Sequence, residues 1–259
     1  LDDSHNRFFH HPELKDLISD PAMSSFRSFD AHAVFTQRPE LDWVVNLLHT
    51  KSQRDLSRQR ALAGRTGSDL WVFAYGSLMW DPAMHFLEVR RAFVPDFARH
   101  FILKDIYGGR GTREAPGLMA ALDQGDGCDG LAFRIAKDQI ESETDILWRR
   151  EMVGEGYIPT FVTAMIDNEP IEALTFVADR QADSICWDVT RPEQIRYIST
   201  GQGFLGTSLE YLENIMRHFD ALGIVDEDCA ALLADVHTHC NSRNSETTGR
   251  QTGMQGLNN

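Results

Sequence analysis

Ile140, Thr144, Leu147 and Glu151 follow one another at steps of four, three and four, the spacing that places residues on one face of a helix. A carboxylate that shares a face with apolar neighbours is pushed toward its neutral form. Its pKa then moves toward the range in which one group can take and return a proton near neutral pH. The structural alternative is an ion pair with Arg149 or Arg150. A second group, Tyr75-Gly76-Ser77-Leu78, follows an apolar run. Its glycine lets the backbone turn sharply and aim N–H groups at a carboxylate or a developing oxyanion, although a plain turn would use the same residues. Ser77 is not set in a G-x-S-x-G elbow and no spacing nominates a histidine base, so a nucleophilic serine is disfavoured.

Other chemistry-bearing residues lead less far. Gly108-Gly109-Arg110-Gly111-Thr112 lacks the Gly-Lys-Ser/Thr ending of a phosphate-binding loop, which argues against nucleotide binding. His237-Thr238-His239-Cys240 and the trio His5, His10 and His11 match no metal-ligand spacing, so no metal and no cofactor is expected.

The elements that must carry Glu151 and the glycine turn can be sketched from pattern. Residues 1–68 are polar and helix-prone, with an apolar patch at Trp43, Val44, Leu47 and Leu48, and are expected to form a helical arm. Leu70 to Tyr75 read as a buried strand handing over to the Gly76-Ser77 turn, and residues 105–117 as a glycine-rich loop. Leu131, Phe133 and Ile135 alternate as in a strand, and Asp138-x-x-Glu141 resembles a capping box opening the helix of Glu151. The runs 157–166 and 171–178 read as two strands joined by a tight turn. Thr207-x-x-Glu210 caps a helix with Leu209, Leu212, Met216 and Phe219 on one stripe and Gly223 as its stop. A shorter helix from Asp226 shows Cys229, Leu232, Leu233 and Val236 at core spacing. The main domain is expected over 69–240, and the polar residues 241–259 as a disordered tail.

Composition narrows the partners. A net charge of −14 is the wrong sign for a nucleic-acid surface or an anionic membrane, so a small-molecule partner is expected. Four cysteines without a CxxC pair fit neither a disulfide framework nor a zinc ribbon, and no apolar run is long enough to span a bilayer. With no signal peptide visible, a cytoplasmic location is expected.

Taken in order, Tyr75-Gly76-Ser77-Leu78, the Arg110-Gly111-Thr112-Arg113-Glu114-Ala115-Pro116-Gly117 loop and the stretch from Arg150-Glu151 to Gly156-Tyr157 resemble the ChaC family of γ-glutamylcyclotransferases. Gly203-Phe204-Leu205-Gly206 before Leu209-Glu210-Tyr211-Leu212 extends the likeness over residues 70–223. The resemblance implies an α+β domain on a mixed, barrel-like sheet with flanking helices. It also implies that Glu151 is the catalytic acid/base, and that Tyr75, Gly76, Ser77, Leu78, Arg110 and Tyr157 bind substrate. Three positions depart from the family's habit: Glu155-Gly156 for paired glycines, Phe176 for a hydroxylated aromatic and Ser208 for an asparagine.

The implied activity is cleavage of glutathione to 5-oxoproline and Cys-Gly. In such a γ-glutamyl amide the substrate's own amine is the nucleophile, so the enzyme supplies orientation and proton transfer rather than a nucleophile or cofactor. Two alternatives stay open at this level: cleavage of another γ-glutamyl amide, and a γ-glutamyl-binding or regulatory module linked to cation transport.

Overall fold

In the computed structural model, which describes residues 6–254, seven strands form one mixed sheet that closes on itself. They are β1 (Leu70–Ala74), β2 (Glu88–Val94), β3 (Phe97–Asp105), β4 (Gly117–Gln124), β5 (Cys128–Ile135), β6 (Tyr157–Ile166) and β7 (Glu169–Ala178). The pairing runs β1-β5-β2-β6-β7, and β7 returns to β1 in parallel through Trp71–Ala173 and Val72–Leu174, which closes a five-stranded barrel. Further along the same edge, Val177 of β7 pairs with Leu122 of β4, and the β3–β4 hairpin flares away from the barrel there.

Strands β1, β5, β6 and β7 lie where the apolar patterns place them. The β6–β7 turn is the two-residue Asp167-Asn168, both at positive φ, the conformation a tight hairpin requires and that Asn and Asp tolerate. The second strand consequently starts at Glu169, two residues before the pattern suggests. β2, β3 and β4 carry no comparable signal; β4 is buried on both faces and built partly of alanine, which reads as no strand period at all.

Helices pack outside the barrel: α1 (Ala31–Thr36), α2 (Asp42–Val45), α3 (Lys51–Leu62), α4 (Ile140–Glu151), α5 (Arg191–Thr200), α6 (Ser208–Leu222) and α7 (Glu227–Met254). In α4, Ile140, Thr144, Leu147 and Trp148 are buried, and the Trp148 ring meets Phe176 of β7 edge-on at 5.3 Å. The capping box expected at Asp138 is absent. A short 3-10 turn (Lys137–Gln139) leads into α4 instead, because the Glu141 carboxylate is taken by Arg58 of α3 at 2.5 Å. In α6 both halves of the Thr207–Glu210 box are formed, and Gly223 ends the helix in the left-handed conformation. Cys229, Leu232 and Val236 of α7 are buried as their spacing suggests. The sequence from Asn241 contains no proline, and the backbone of α7 stays helical to Met254 rather than breaking at Asn241; residues 255–259 lie outside the described residues.

Residues 6–62 are docked on the rest of the molecule. The turn Ser25–Ser28 and α3 lie against α4, while α1 and α2 build a separate apolar cluster of Ala31, Phe35, Leu41, Val44 and Leu48, on which Tyr107, Val153 and Phe204 pack. Among the described residues no helix is long and apolar enough to cross a membrane.

Candidate active site

Glu151 is the last residue of α4, so the apolar face of that helix delivers its carboxylate to the edge of the barrel. Its side chain is 15 % exposed and pairs with Arg150, whose Nε donates to Oε1 at 3.0 Å. Burial pushes the Glu151 pKa up from the usual carboxylate range, and the Arg150 charge and hydrogen bond offset only part of that. The two readings of the sequence are thus both present, an ion pair and a buried acid.

Arg150 also binds the glycine turn. Its guanidinium donates to Ser77 Oγ at 2.8 Å and to the Asp81 carbonyl, and lies 4.1 Å from the centre of the Phe26 ring. The Ser77 hydroxyl therefore faces a cation that cannot accept a proton, which is no arrangement for a nucleophilic serine. Ser77–Met79 form a single 3-10 turn whose first N–H groups have no partner within it, and Leu78 is buried in the large apolar cluster that strands and helices share.

Three tyrosines stand within electrostatic reach of Glu151. Tyr75 is buried and donates its hydroxyl to the Phe176 carbonyl at 2.7 Å. Tyr157 starts β6 and reaches the Ala120 carbonyl at 3.5 Å. Tyr211 of α6 stacks edge-on against Trp80 at 5.4 Å, and its hydroxyl lies so close to Gly76 that a Cβ there would clash with it. Burial raises all three phenols, Tyr211 to about 12, so they remain neutral donors across the working pH range. Sequence reasoning places Tyr211 in the family likeness without giving it a role. The signal was available: Tyr211, Ile215 and His218 repeat at helical spacing beside the expected stripe and are the more buried set.

Arg110 is placed behind this group. Its guanidinium donates to the Thr207 carbonyl at 2.8 Å and lies 5.3 Å from the Tyr211 ring centre, while its N–H is held by the buried Asp105 carboxylate. Ser208 staples the same loop to α6, accepting from the Leu118 N–H at 3.0 Å and donating to the Arg110 carbonyl at 3.3 Å. Phe176 packs on Trp148.

A cavity of about 510 Å³ opens onto this group. Glu151, Arg150 and Tyr157 line it, together with Glu155 and Gly156; Tyr75, Gly76, Ser77, Leu78, Arg110 and Tyr211 do not, and Ser77 is tied to it through Arg150. Its volume lies in the range of small-molecule sites. Among the described residues, no three His, Cys, Asp or Glu side chains converge as a metal would need.

Residues 70–239 match the family model described as ChaC-like protein. This chain belongs to that family. A relative from Escherichia coli K12, named glutathione-specific gamma-glutamylcyclotransferase, is 33 % identical over 193 residues, covering 74 % of this chain and 83 % of its own. A human protein, glutathione-specific gamma-glutamylcyclotransferase 1, is 31 % identical over 176 residues, 65 % of this chain and 79 % of its own. The crystal structure of a yeast gamma-glutamyl cyclotransferase specific to glutathione aligns with a TM-score of 0.58 at 19 % identity, over 67 % of this chain and all of that one. That likeness supports the barrel-like α+β fold. In this ChaC-like chain the family match begins at β1, so the segment before residue 70 lies outside it.

Proposed function

We propose that this ChaC-like protein cleaves glutathione to 5-oxoproline and Cys-Gly, with Glu151 as the acid/base. One observation carries the proposal: the carboxylate that opens onto the cavity has its pKa raised by burial, while Arg150 ties it to the turn after β1.

The α-amine of the γ-glutamyl group attacks its own γ-carbonyl carbon, forming the N–C bond of a five-membered lactam as the amide bond to cysteine breaks. Ionised Glu151 takes a proton from the attacking amine and, now neutral, returns one to the departing nitrogen. Protons and bonds balance without a second reactant. The amine must be folded back onto the carbonyl, and holding that conformation is worth up to about 7–11 kcal/mol in well-aligned intramolecular reactions. The N–H groups of Gly76, Ser77 and Leu78, backed by Tyr211 and Arg150, hold an anionic oxygen of the γ-glutamyl group, and Tyr157 borders it. Arg110 acts at one remove, by fixing the loop and the ring of Tyr211. The four free cysteines suit a reducing, cytoplasmic setting.

The test is release of 5-oxoproline from reduced glutathione by the wild-type chain and by Glu151→Gln. Turnover is expected to fall by about two to four orders of magnitude in the variant, with substrate binding retained. Near-normal turnover would remove Glu151 from the chemistry. Saturable glutathione binding by the wild type without product would favour a sensing module instead.

A further inference from the structure

The segment before the family-matched region forms a wall of the candidate active site. Phe26, Phe29, Phe35, Val44, Leu47 and Leu48 line the cavity that opens onto Glu151. The segment spans that cavity from side to side. On one side it is fastened to α4 and to the residues just beyond its C-terminus. Arg149 donates to the Arg27 and Phe29 carbonyls at 2.9 and 3.1 Å, Phe26 lies under the Arg150 guanidinium, and the His49 N–H donates to the Val153 carbonyl at 2.8 Å. On the other, Phe35 meets Phe204 edge-on at 5.8 Å, and Trp43 lies 5.6 Å from Tyr107, with the Arg113 guanidinium 3.5 Å from the Trp43 ring centre.

Leu47 on this segment and Leu205, outside it, are left open to water. Leu47 is 51 % exposed and Leu205, on the opposite side, 38 %; both line the cavity. Apolar surface held open by a fastened frame at the rim of a concave site is surface that a ligand covers. The functional reading above seats the γ-glutamyl end of the substrate at Glu151, which lines the same cavity. What remains to meet Leu47 is the part beyond the scissile bond, the departing amine.

We propose that the N-terminal segment is the leaving-group subsite of this enzyme, with Leu47 as a specificity-determining residue that packs on the dipeptidyl part of the substrate. This deepens the functional reading above and rests on it. The subsite favours a γ-glutamyl peptide, whose longer leaving group extends further along the cavity that Glu151 and Leu47 share, over a γ-glutamyl amino acid.

The test compares kcat and KM for glutathione and for γ-glutamyl-alanine in the wild type, in Leu47→Asp and in Leu56→Asp. Leu56 is 46 % exposed on α3 but does not line the cavity, so its variant controls for a charge added to the segment. Leu47→Asp is expected to lower kcat/KM for glutathione about tenfold more than for γ-glutamyl-alanine, chiefly through KM, the scale set by apolar pocket contacts. Leu56→Asp is expected to change neither. An equal fall for both substrates, or none, with the wild type active would overturn the subsite alone. No 5-oxoproline from either substrate with the wild type would overturn the functional reading and the subsite with it.

Discussion

Glu151 occupies the final position of a helix, where the backbone dipole presents its negative end to the carboxylate. Burial and the helix end both disfavour its charge, and Arg150 opposes them. The proposed base must be ionised to act, so the raised pKa of Glu151 is expected to move the acid limb of kcat/KM above the 4.5 of an ordinary glutamate. Arg150→Met removes the one partner that lowers the pKa, so the limb in a pH–rate profile is expected to move further up; a downward move would show that Arg150 does not hold the charge. Gly76 gives a second prediction. Gly76→Ala puts a methyl into the Tyr211 hydroxyl, but with that oxygen removed the nearest ring atom lies at 3.5 Å, ordinary contact. Gly76→Ala alone is therefore expected to lose most activity, and Gly76→Ala with Tyr211→Phe to recover part of it. Recovery absent from the double variant would place the constraint in the backbone rather than in the close approach of Tyr211.

At the scale of elements, α4 is held between the barrel and the N-terminal segment, and the fastening is ionic on the segment's side. Arg27 makes two hydrogen bonds to Glu143, at 2.8 and 3.2 Å, and the His85 N–H makes a third at 2.7 Å. Burial opposes the Glu143 charge, but these bonds outweigh it and hold the carboxyl below its usual 4.5. A depressed folded-state pKa means stability that is present above pH 4.5 and lost as pH falls through the folded value. Glu143→Gln is expected to cost about 1.5–3 kcal/mol near neutral pH, the worth of charge-assisted hydrogen bonds. The gap to wild type, read from urea unfolding, is expected to close on acidification; a gap constant with pH would deny the ionic fastening. None of this was legible in the sequence. Helical spacing found the face of α4 and the pair at Arg150, because both are local, but Arg27 and Glu143 are 116 positions apart and no period connects them. The expectation of a helical arm over residues 1–68, with no docking surface named for it, had the same origin. Polar composition marks a segment whose own core is small, but not the surface against which it lies.

The molecule as a whole depends on one long-range closure. The apolar runs of β1, β6 and β7 and the alternation of β5 were legible; a barrel-like sheet was implied only by the family resemblance, and the parallel return of β7 to β1 not at all, since no local pattern encodes a partner about 100 residues away. The seam is short. Only Trp71–Ala173 and Val72–Leu174 pair across it, and the buried Thr175 adds a side-chain bond, donating its hydroxyl to the Phe73 carbonyl at 3.1 Å. β1 is nevertheless held along its other edge by five pairs to β5, from Leu70–Ile135 to Ala74–Leu131, immediately before Tyr75 and Gly76. The closure thus uses one edge of β1 and the backbone pairing that leads into the glycine turn uses the other, with the Tyr75 hydroxyl as a side-chain link to β7. Thr175→Val keeps the shape and removes the donor, and is expected to lower stability by about 1–2 kcal/mol in denaturant unfolding. Because β5 still fixes the strand that delivers the glycine turn, KM for glutathione is expected to stay within about twofold of wild type, as an effect on folding free energy alone requires. A matching rise in KM would mean that the turn takes its position from β7, and that barrel closure sets the geometry of the site as well as its stability.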